Sequence, residues 1–362
     1  MQRRFSFVPL LLGAAAMAQV PADLRNWTPE HQVAGAGNWV VALDGSSVNQ
    51  TLNGWPTLFY SDFDVQGLRI EGGILIAGSD DDYVGFVLGF QPGGWTDPNA
   101  DFLLVDWKGA SQTYNWGSPS CTPGTTAYRG LAVSRVEGLA TADELWGHVN
   151  LDTAPCSGPT DRVTELQRAA NLGATGWARN RTYQFRFDYT PTRLQVFVDN
   201  VLELDVSGTF PNGRMGFYNF SQSNVTYSAF QTNLLASWSI YGTGHPGTLG
   251  VPSLQPTALP VLGTTIGIDM TSASPVPAFA VLGYGWAADS VPSGYGGRIL
   301  VQVAFVQGFV LPVPPLVGSA PLSIPLDQSL AGIHVYCQFA HFDAGASHEL
   351  AFSPGLLLNL GN

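Results

Sequence analysis

Thr182-Tyr183-Gln184-Phe185-Arg186-Phe187-Asp188-Tyr189 puts an aromatic ring at every second position and a polar side chain between each pair. Successive side chains of a strand point to opposite faces, so this is the period of a strand with one buried and one wetter face. Leu194, Val196 and Val198 repeat the pattern, Asp199-Asn200 supplies a turn, and Leu202-Glu203-Leu204-Asp205-Val206 brings the chain back. That is a β-hairpin. Outward from it, between Gly37 and Ala236, period-2 segments alternate with turn clusters and no sustained helical period intervenes. Forty-two glycines and 25 prolines without a collagen-like repeat read as turn residues between many short strands. The expected fold class is all-β, and so many strands in one stretch point to a double-sheet jelly roll.

The chain has 362 residues, enough for two domains at roughly 100–200 residues each. Composition changes after Ala236: only five of the 27 acidic residues follow it, and Pro-flanked apolar runs take over. A smaller β-sandwich is expected there, with strands such as Thr264–Ser272, Ala278–Gly285, Arg298–Phe305 and Gly332–Phe339. Residues 1–18 carry Arg3 and Arg4, an apolar run from Phe5 to Ala16 and the small-x-small sequence Ala16-Met17-Ala18, the layout of a secretory signal peptide. The run is too short for the roughly 20 apolar residues that span a bilayer, and no transmembrane segment is expected. The expected organisation is therefore a signal peptide at 1–18, a jelly roll at 19–236 and a small sandwich at 237–362.

Fifteen Lys and Arg against 27 Asp and Glu give a formal net charge of -12, and Lys108 is the sole lysine. Nucleic-acid binding rests on neutralising phosphates, so this balance argues against a nucleic-acid partner and favours cations. Cys121 and Cys156 both lie in Pro/Gly/Ser-rich loops, and an oxidising compartment would let them pair. Cys337 alternates with Ile333, Val335 and Phe339, the setting of a buried, unreactive thiol.

The run Asp80-Asp81-Asp82-Tyr83-Val84-Gly85-Phe86-Val87-Leu88-Gly89-Phe90-Gln91 resembles a strand of the thrombospondin C-terminal domain, an L-type-lectin-like, concanavalin A-like jelly-roll sandwich. Trp107-Lys108, Gln112-Thr113-Tyr114, Leu145-Trp146, Gly176-Trp177 and Gly213-Arg214-Met215-Gly216-Phe217-Tyr218-Asn219-Phe220-Ser221-Gln222 follow in the same order. The chain lacks that family's Asp-rich calcium repeats, its growth-factor-like modules and any Arg-Gly-Asp tripeptide, so animal-type receptor binding is not carried over. The second domain resembles a module at the C-terminal end of many secreted bacterial proteins, opening here with Tyr241-Gly242-Thr243-Gly244-His245-Pro246-Gly247.

Three adjacent carboxylates, Asp80, Asp81 and Asp82, repel one another unless they are solvated or share a cation. From the residues alone they are either an acidic turn or a metal site, and the resemblance implies Ca²⁺, which takes six to eight oxygen ligands. Asp62 and Asp64 are the expected additional ligands. Glu203-Leu204-Asp205 begins a glycoside-hydrolase strand motif, but Gly208 stands where the second catalytic carboxylate belongs. Glu203 and Asp205, with Gln184, Arg186 and Asp188, are instead candidate ligand-binding positions. His334, His341 and His348 are spaced by seven, which puts neighbours on opposite strand faces and argues against a zinc cluster. Trp95, Trp107, Trp116, Trp146 and Trp177 have the chemistry to stack on sugars, but such residues more often anchor cores and loops. No Ser-His-Asp signature, P-loop or dinucleotide fingerprint occurs. The expected function is that of a secreted, non-enzymatic, calcium-binding lectin-like protein acting in adhesion at an extracellular glycan or protein surface. The alternatives are a carbohydrate-binding module and, behind it, a glycoside hydrolase or lyase.

Overall fold

Thr182–Tyr189 forms a strand whose Tyr183, Phe185, Phe187 and Tyr189 are buried while Gln184, Arg186 and Asp188 face outward. It pairs antiparallel with Arg193–Val198 and with Leu68–Ile76 inside an eight-stranded sheet. Asp199 and Asn200, at φ 49° and 67°, make the two-residue turn that leads into the Val201–Ser207 strand. Both φ values are positive because that sense of turn matches the right-handed twist of the flanking strands. The computed structural model describes residues 20–151, 156, 162–273, 276–311 and 316–362. The expected signal peptide at 1–18 lies outside the described residues.

A second sheet of seven strands packs on the first. Its order is Arg162–Arg168, Gly130–Glu137, Asp101–Lys108, Tyr83–Phe90, Arg214–Phe220, Thr57–Asp64, Thr28–His31. Aromatic rings interdigitate between the layers: Phe86 lies 4.9 Å from Phe185 and 4.8 Å from Phe187, and Phe217 stacks on Tyr227 at 4.4 Å. Such pairs contribute about 0.5–1.5 kcal/mol each beyond the area they bury. The fold class is all-β, and this unit is a jelly-roll sandwich of two antiparallel sheets.

The seven-stranded sheet is covered on its other face as well, so every residue of Tyr83–Phe90 is buried. Val84, Phe86 and Leu88 enter the core between the sheets, whereas Tyr83, Val87 and Phe90 join a second aromatic cluster with Phe102, Trp146, Tyr218 and Phe220. Gly89 makes the changeover at φ 77°: the partner register slips between Arg214 and Met215, and an added Cβ would meet the Pro211 carbonyl at 2.8 Å. Only glycine occupies that conformation without strain.

The cover consists of the hairpin strands Gln112–Tyr114 and Thr125–Ala127, the Ala142–Gly147 helix, and Trp55, Trp95 and Trp116. The helix starts at a Thr141–Glu144 capping box. Its buried Asp143 accepts the Trp116 and Ser118 N–H groups at 3.1 and 3.0 Å, fastening the loop to the helix. Cys121 and Cys156 form a disulfide with Cα atoms 5.4 Å apart across 35 residues. A loop of that length stabilises by about 3–4 kcal/mol. Replacing both cysteines with Ser is expected to lower stability by that amount in a denaturant titration, and an unchanged midpoint would contradict it.

The described residues form two compact units that meet in sequence after Asn233. The unit from Leu234 onward is a β-sandwich. One sheet runs in the order Ser237–Tyr241, Gly355–Asn359, His334–Phe342, Ala278–Pro292, Arg298–Leu311, with Leu350–Phe352 beside His334–Phe342. The other has three strands, Ser253–Pro256, Thr265–Ser272 and Leu316–Ser323. Ile268, Met270, Leu282, Cys337, Phe339, Leu356 and Leu358 fill the space between them. Burial pushes the Cys337 thiol up to about 12, so it stays protonated and inert. Among the described residues no helix is long and apolar enough to cross a membrane.

Candidate functional site

The acidic triplet ends a loop where the strand Tyr83–Phe90 begins. Tyr83 is paired in register with Lys108, the last residue of the neighbouring strand, and this pairing brings the sole lysine under the carboxylates. The Lys108 side chain is fully buried. Its Nζ donates to Asp82 Oδ1 at 2.5 Å, Asp81 Oδ1 at 3.1 Å and the Asp81 carbonyl at 3.0 Å. The Trp146 ring lies 4.8 Å from the same ammonium and adds a cation–π contact. Asp82 is buried; burial pushes its carboxyl up while the Lys108 hydrogen bond and charge pull it down.

Other segments complete the corner. Gln222 Oε1 accepts the Asp82 N–H at 3.1 Å, and Trp177 Nε1 donates to the Asp82 carbonyl at 3.1 Å. Asn53 Nδ2 donates to Asp80 Oδ2 at 2.6 Å and is itself held through Ser221 Oγ at 3.1 Å. Ligating oxygens of Asp80, Asp81 and Asp82 lie within 4.8 Å of one another, and the Asp81 side chain is 51 % exposed. The inner side of the cluster is neutralised by an ammonium, and the outer side opens to solvent. Lys108 and Gln222 stand outside the ligand set expected from the sequence. The available signal was a solitary lysine closing an apolar strand in a chain with few charges.

Asp62 and Asp64 do not belong to this corner. On the Arg214–Phe220 strand Asp64 pairs with Arg214, whereas Phe220 pairs with Tyr83, six residues away. At about 3.3 Å per residue that is roughly 20 Å. Asp64 instead faces the Arg214 guanidinium at 3.4 Å and accepts from Asn212 at 2.9 Å.

The expected ligand face is divided in the same way. Gln184, Arg186 and Asp188 share the outer surface of the eight-stranded sheet, but Asp188 accepts two hydrogen bonds from Arg69 at 2.8 and 3.0 Å. Arg186 lies flat over Phe197, 3.5 Å from its centroid. Asp205 is held by both Arg193 nitrogens at 2.8 and 2.7 Å. Glu203 is not on this face. A bulge between Val196 and Phe197 turns it inward, where its buried carboxylate accepts the Asn171 and Leu172 N–H groups at 2.8 and 3.1 Å. Glu203 therefore shapes a loop and faces no second carboxylate of the kind glycoside hydrolysis needs.

A second charged cluster, invisible in the sequence, lies beneath the cover of the seven-stranded sheet. Asp106 is fully buried, and its Oδ2 lies 3.0 Å from His148 Nε2. His148 Nδ1 is 3.3 Å from Glu165, which is bound by Arg168 at 3.0 and 2.8 Å. Burial alone would lower the His148 imidazole, but the Asp106 and Glu165 carboxylates outweigh it and raise it to about 9. Burial likewise raises Asp106. Trp107, Trp146 and Trp177 are buried, while Trp95 and Trp116 are partly buried and pack on the second aromatic cluster. Among the described residues Asp80, Asp81 and Asp82 are the only group of three or more metal-ligating side chains, and the histidines of the second unit form none.

The first unit is similar in sequence to known proteins. Thrombospondin-3b of Danio rerio is 28% identical over 200 residues, covering 53% of this chain and 20% of that protein. Thrombospondin-4 of Bos taurus is 26% identical over 200 residues, covering 53% of this chain and 19% of that protein. The chain thus spans about a fifth of the length of these relatives. Among solved structures, the carbohydrate binding module CBM66 from Bacillus subtilis overlaps 57% of this chain and 94% of that one, with 11% identity and a TM-score of 0.37. The VIP36 exoplasmic/lumenal domain in its Ca2+/Man-bound form overlaps 58% and 83%, with 14% identity and a TM-score of 0.36. The thrombospondin C-terminal region profile matches residues 34–234, more than half of the sequence and nearly all of the first unit. The chain belongs to the thrombospondin C-terminal region family.

Proposed function

We propose that this protein is a secreted, lectin-like adhesion or surface-interaction module that holds Ca²⁺ at the Asp80–Asp82 corner and has no catalytic activity. The observation that carries the reading is the convergence of three carboxylates at a solvent-facing corner of a thrombospondin C-terminal unit. Hard oxygen donors suit Ca²⁺, and an irregular loop tolerates its variable coordination. With Asp82 and one oxygen of Asp81 engaged by Lys108, Asp80 and the outer oxygen of Asp81 are the carboxylate atoms that fit the ion. The partner is an extracellular glycan or protein surface. The absence of catalysis is supported by Glu203, whose oxygens are engaged by backbone N–H groups. The outer sheet face is a weaker candidate for glycan, because its Asp188 and Asp205 are already held by Arg69 and Arg193.

Calorimetry with and without chelator tests the metal. At free Ca²⁺ one hundred times Kd, binding stabilises the folded state by about 2.7 kcal/mol, and Tm should rise accordingly. Asp80→Ala should abolish that rise while leaving the chelated protein nearly unchanged, since Asp80 makes no contact with Lys108. Asp82→Ala is the wrong variant, because it strands a buried ammonium whether or not calcium binds. A wild-type Tm indifferent to millimolar Ca²⁺ would overturn the proposal.

A further inference from the structure

Asn53 is followed by Gly54, and the same dipeptide recurs only at Asn212-Gly213. A glycine after asparagine leaves the next backbone nitrogen unshielded, because no Cβ stands beside it, and that nitrogen is held close to the side-chain carbonyl carbon. Residues 51–54 carry no regular structure, and Asn53 is exposed. The Gly54 carbonyl accepts the Ser221 N–H at 2.7 Å, whereas among the described residues the Gly54 N–H donates no hydrogen bond. Ser221 acts on the side chain as well. Its Oγ donates to Asn53 Oδ1 at 3.1 Å, while Asp80 Oδ2 accepts from Asn53 Nδ2 at 2.6 Å. Both contacts polarise the amide in the sense that its hydrolysis requires. A donor on Oδ1 stabilises the oxyanion formed when the carbonyl carbon is attacked, and a carboxylate beside Nδ2 favours the protonated nitrogen that must leave.

We propose that Asn53 is a self-modification site, where deamidation of the folded chain delivers a fourth carboxylate to the Asp80–Asp82 corner. The Gly54 nitrogen loses its proton to water and forms a bond to Asn53 Cγ. The Cγ–Nδ2 bond breaks, and ammonia leaves with a proton taken back from water. A second water then opens the cyclic imide at one of its two carbonyl carbons, which leaves aspartate or isoaspartate at position 53. Nothing is oxidised or reduced, and the net exchange is water for ammonia.

The product inverts the contact with Asp80. A donor becomes an acceptor, and two carboxylates face each other where a hydrogen bond stood. Like charges so close repel unless a cation lies between them, so the change weakens the corner without metal and strengthens it for Ca²⁺. This consequence rests on the calcium reading given above; the modification itself does not. Asn212-Gly213 supplies an internal comparison. Asn212 Nδ2 also donates to a carboxylate, that of Asp64 at 2.9 Å. Gly213 is buried, however, and among the described residues no donor reaches Asn212 Oδ1 to stabilise an oxyanion there.

Prolonged warm incubation of the folded chain, followed by peptide mapping, should show at Asn53 the mass gain of one oxygen for one NH, well ahead of Asn212. In denaturant, where both dipeptides are free, the gap between them should close. Gly54 cannot be replaced as a control, since a Cβ there would meet the Ala36 carbonyl at 2.5 Å. Asn53→Gln, whose longer side chain closes the ring poorly, should abolish the gain at that position. Asn53→Asp should bind Ca²⁺ about tenfold tighter than wild type in a calorimetric titration, and should melt below wild type in chelator. An Asn53 that stays intact in the folded chain, that converts no faster than Asn212, or that keeps its full lead in denaturant would overturn the proposal. So would an Asn53→Asp variant that binds Ca²⁺ no tighter than a wild type that does bind it. If neither protein binds Ca²⁺, the calcium reading fails and the peptide map alone decides the modification.

Discussion

Lys108→Met is expected to cost about 3–5 kcal/mol of stability, because it leaves the buried Asp82 carboxylate without its counter-ion. Methionine keeps the packing against Trp146 and Tyr83, so the loss reports charge and not volume. The double variant Lys108→Met/Asp82→Leu should recover most of the deficit, since replacing both partners of a buried pair by apolar groups is often near neutral. Eight of the ten tryptophans precede residue 237, so fluorescence-detected denaturation follows the first unit. A single variant as stable as wild type, or a double variant no better than the single, would show that the pair does not carry the corner. Lys108→Met has a second expected effect. With the ammonium gone, Asp82 is free to turn to a cation, and Ca²⁺ should restore more stability to this variant than it adds to wild type.

His148 should make the same unit pH-sensitive in the alkaline direction. Its folded value of about 9 lies above the ordinary 6.5 of histidine, so the folded state binds the proton more tightly than the unfolded chain. The associated stability is fully present below pH 6.5 and is lost as pH rises through about 9, an effect of roughly 3 kcal/mol. His148→Ala removes that slope. It also leaves Asp106 buried and unpaired, which costs about 3–5 kcal/mol at pH 6. Denaturant titrations at pH 6, 7.5 and 9 should therefore converge for wild type and variant at the alkaline end. Parallel curves of equal slope would contradict the assignment.

Alternation was enough to read the first sheet. The rings at Tyr183, Phe185, Phe187 and Tyr189 announced their buried face, and Asp199-Asn200 announced the hairpin. Alternation fails where the backbone departs from period two. Glu203 and Asp205 belong on one face by counting, yet the bulge opposite Val196 and Phe197 rotates Glu203 into the protein. Counting also gives no sense of which end of a strand lies near which loop, so Asp62 and Asp64 looked like neighbours of Asp80. The Lys108–Asp82 and Asp106–His148 pairs join residues 26 and 42 apart in sequence. They become contacts only once three strands and a helix have taken their places, and no local pattern encodes that. The Tyr83–Phe90 run, apolar without alternation, did carry the mark of a strand covered on both faces.

The covering of the seven-stranded sheet has a consequence for where this protein remains soluble. Tyr83, Phe90, Phe102, Tyr218 and Phe220 form a buried aromatic wall, and the hairpin and helix that shield it are pinned by the Cys121–Cys156 link together with the hydrogen bonds to Asp143. Break that link with glutathione, and the cover becomes a flap whose opening costs less than global unfolding. Each opening bares a contiguous aromatic patch of the kind that drives aggregation. Solubility is thereby tied to the redox poise of the surroundings: an oxidising medium keeps the flap shut, and a reducing one turns the same polypeptide into a substrate for chaperones and proteases.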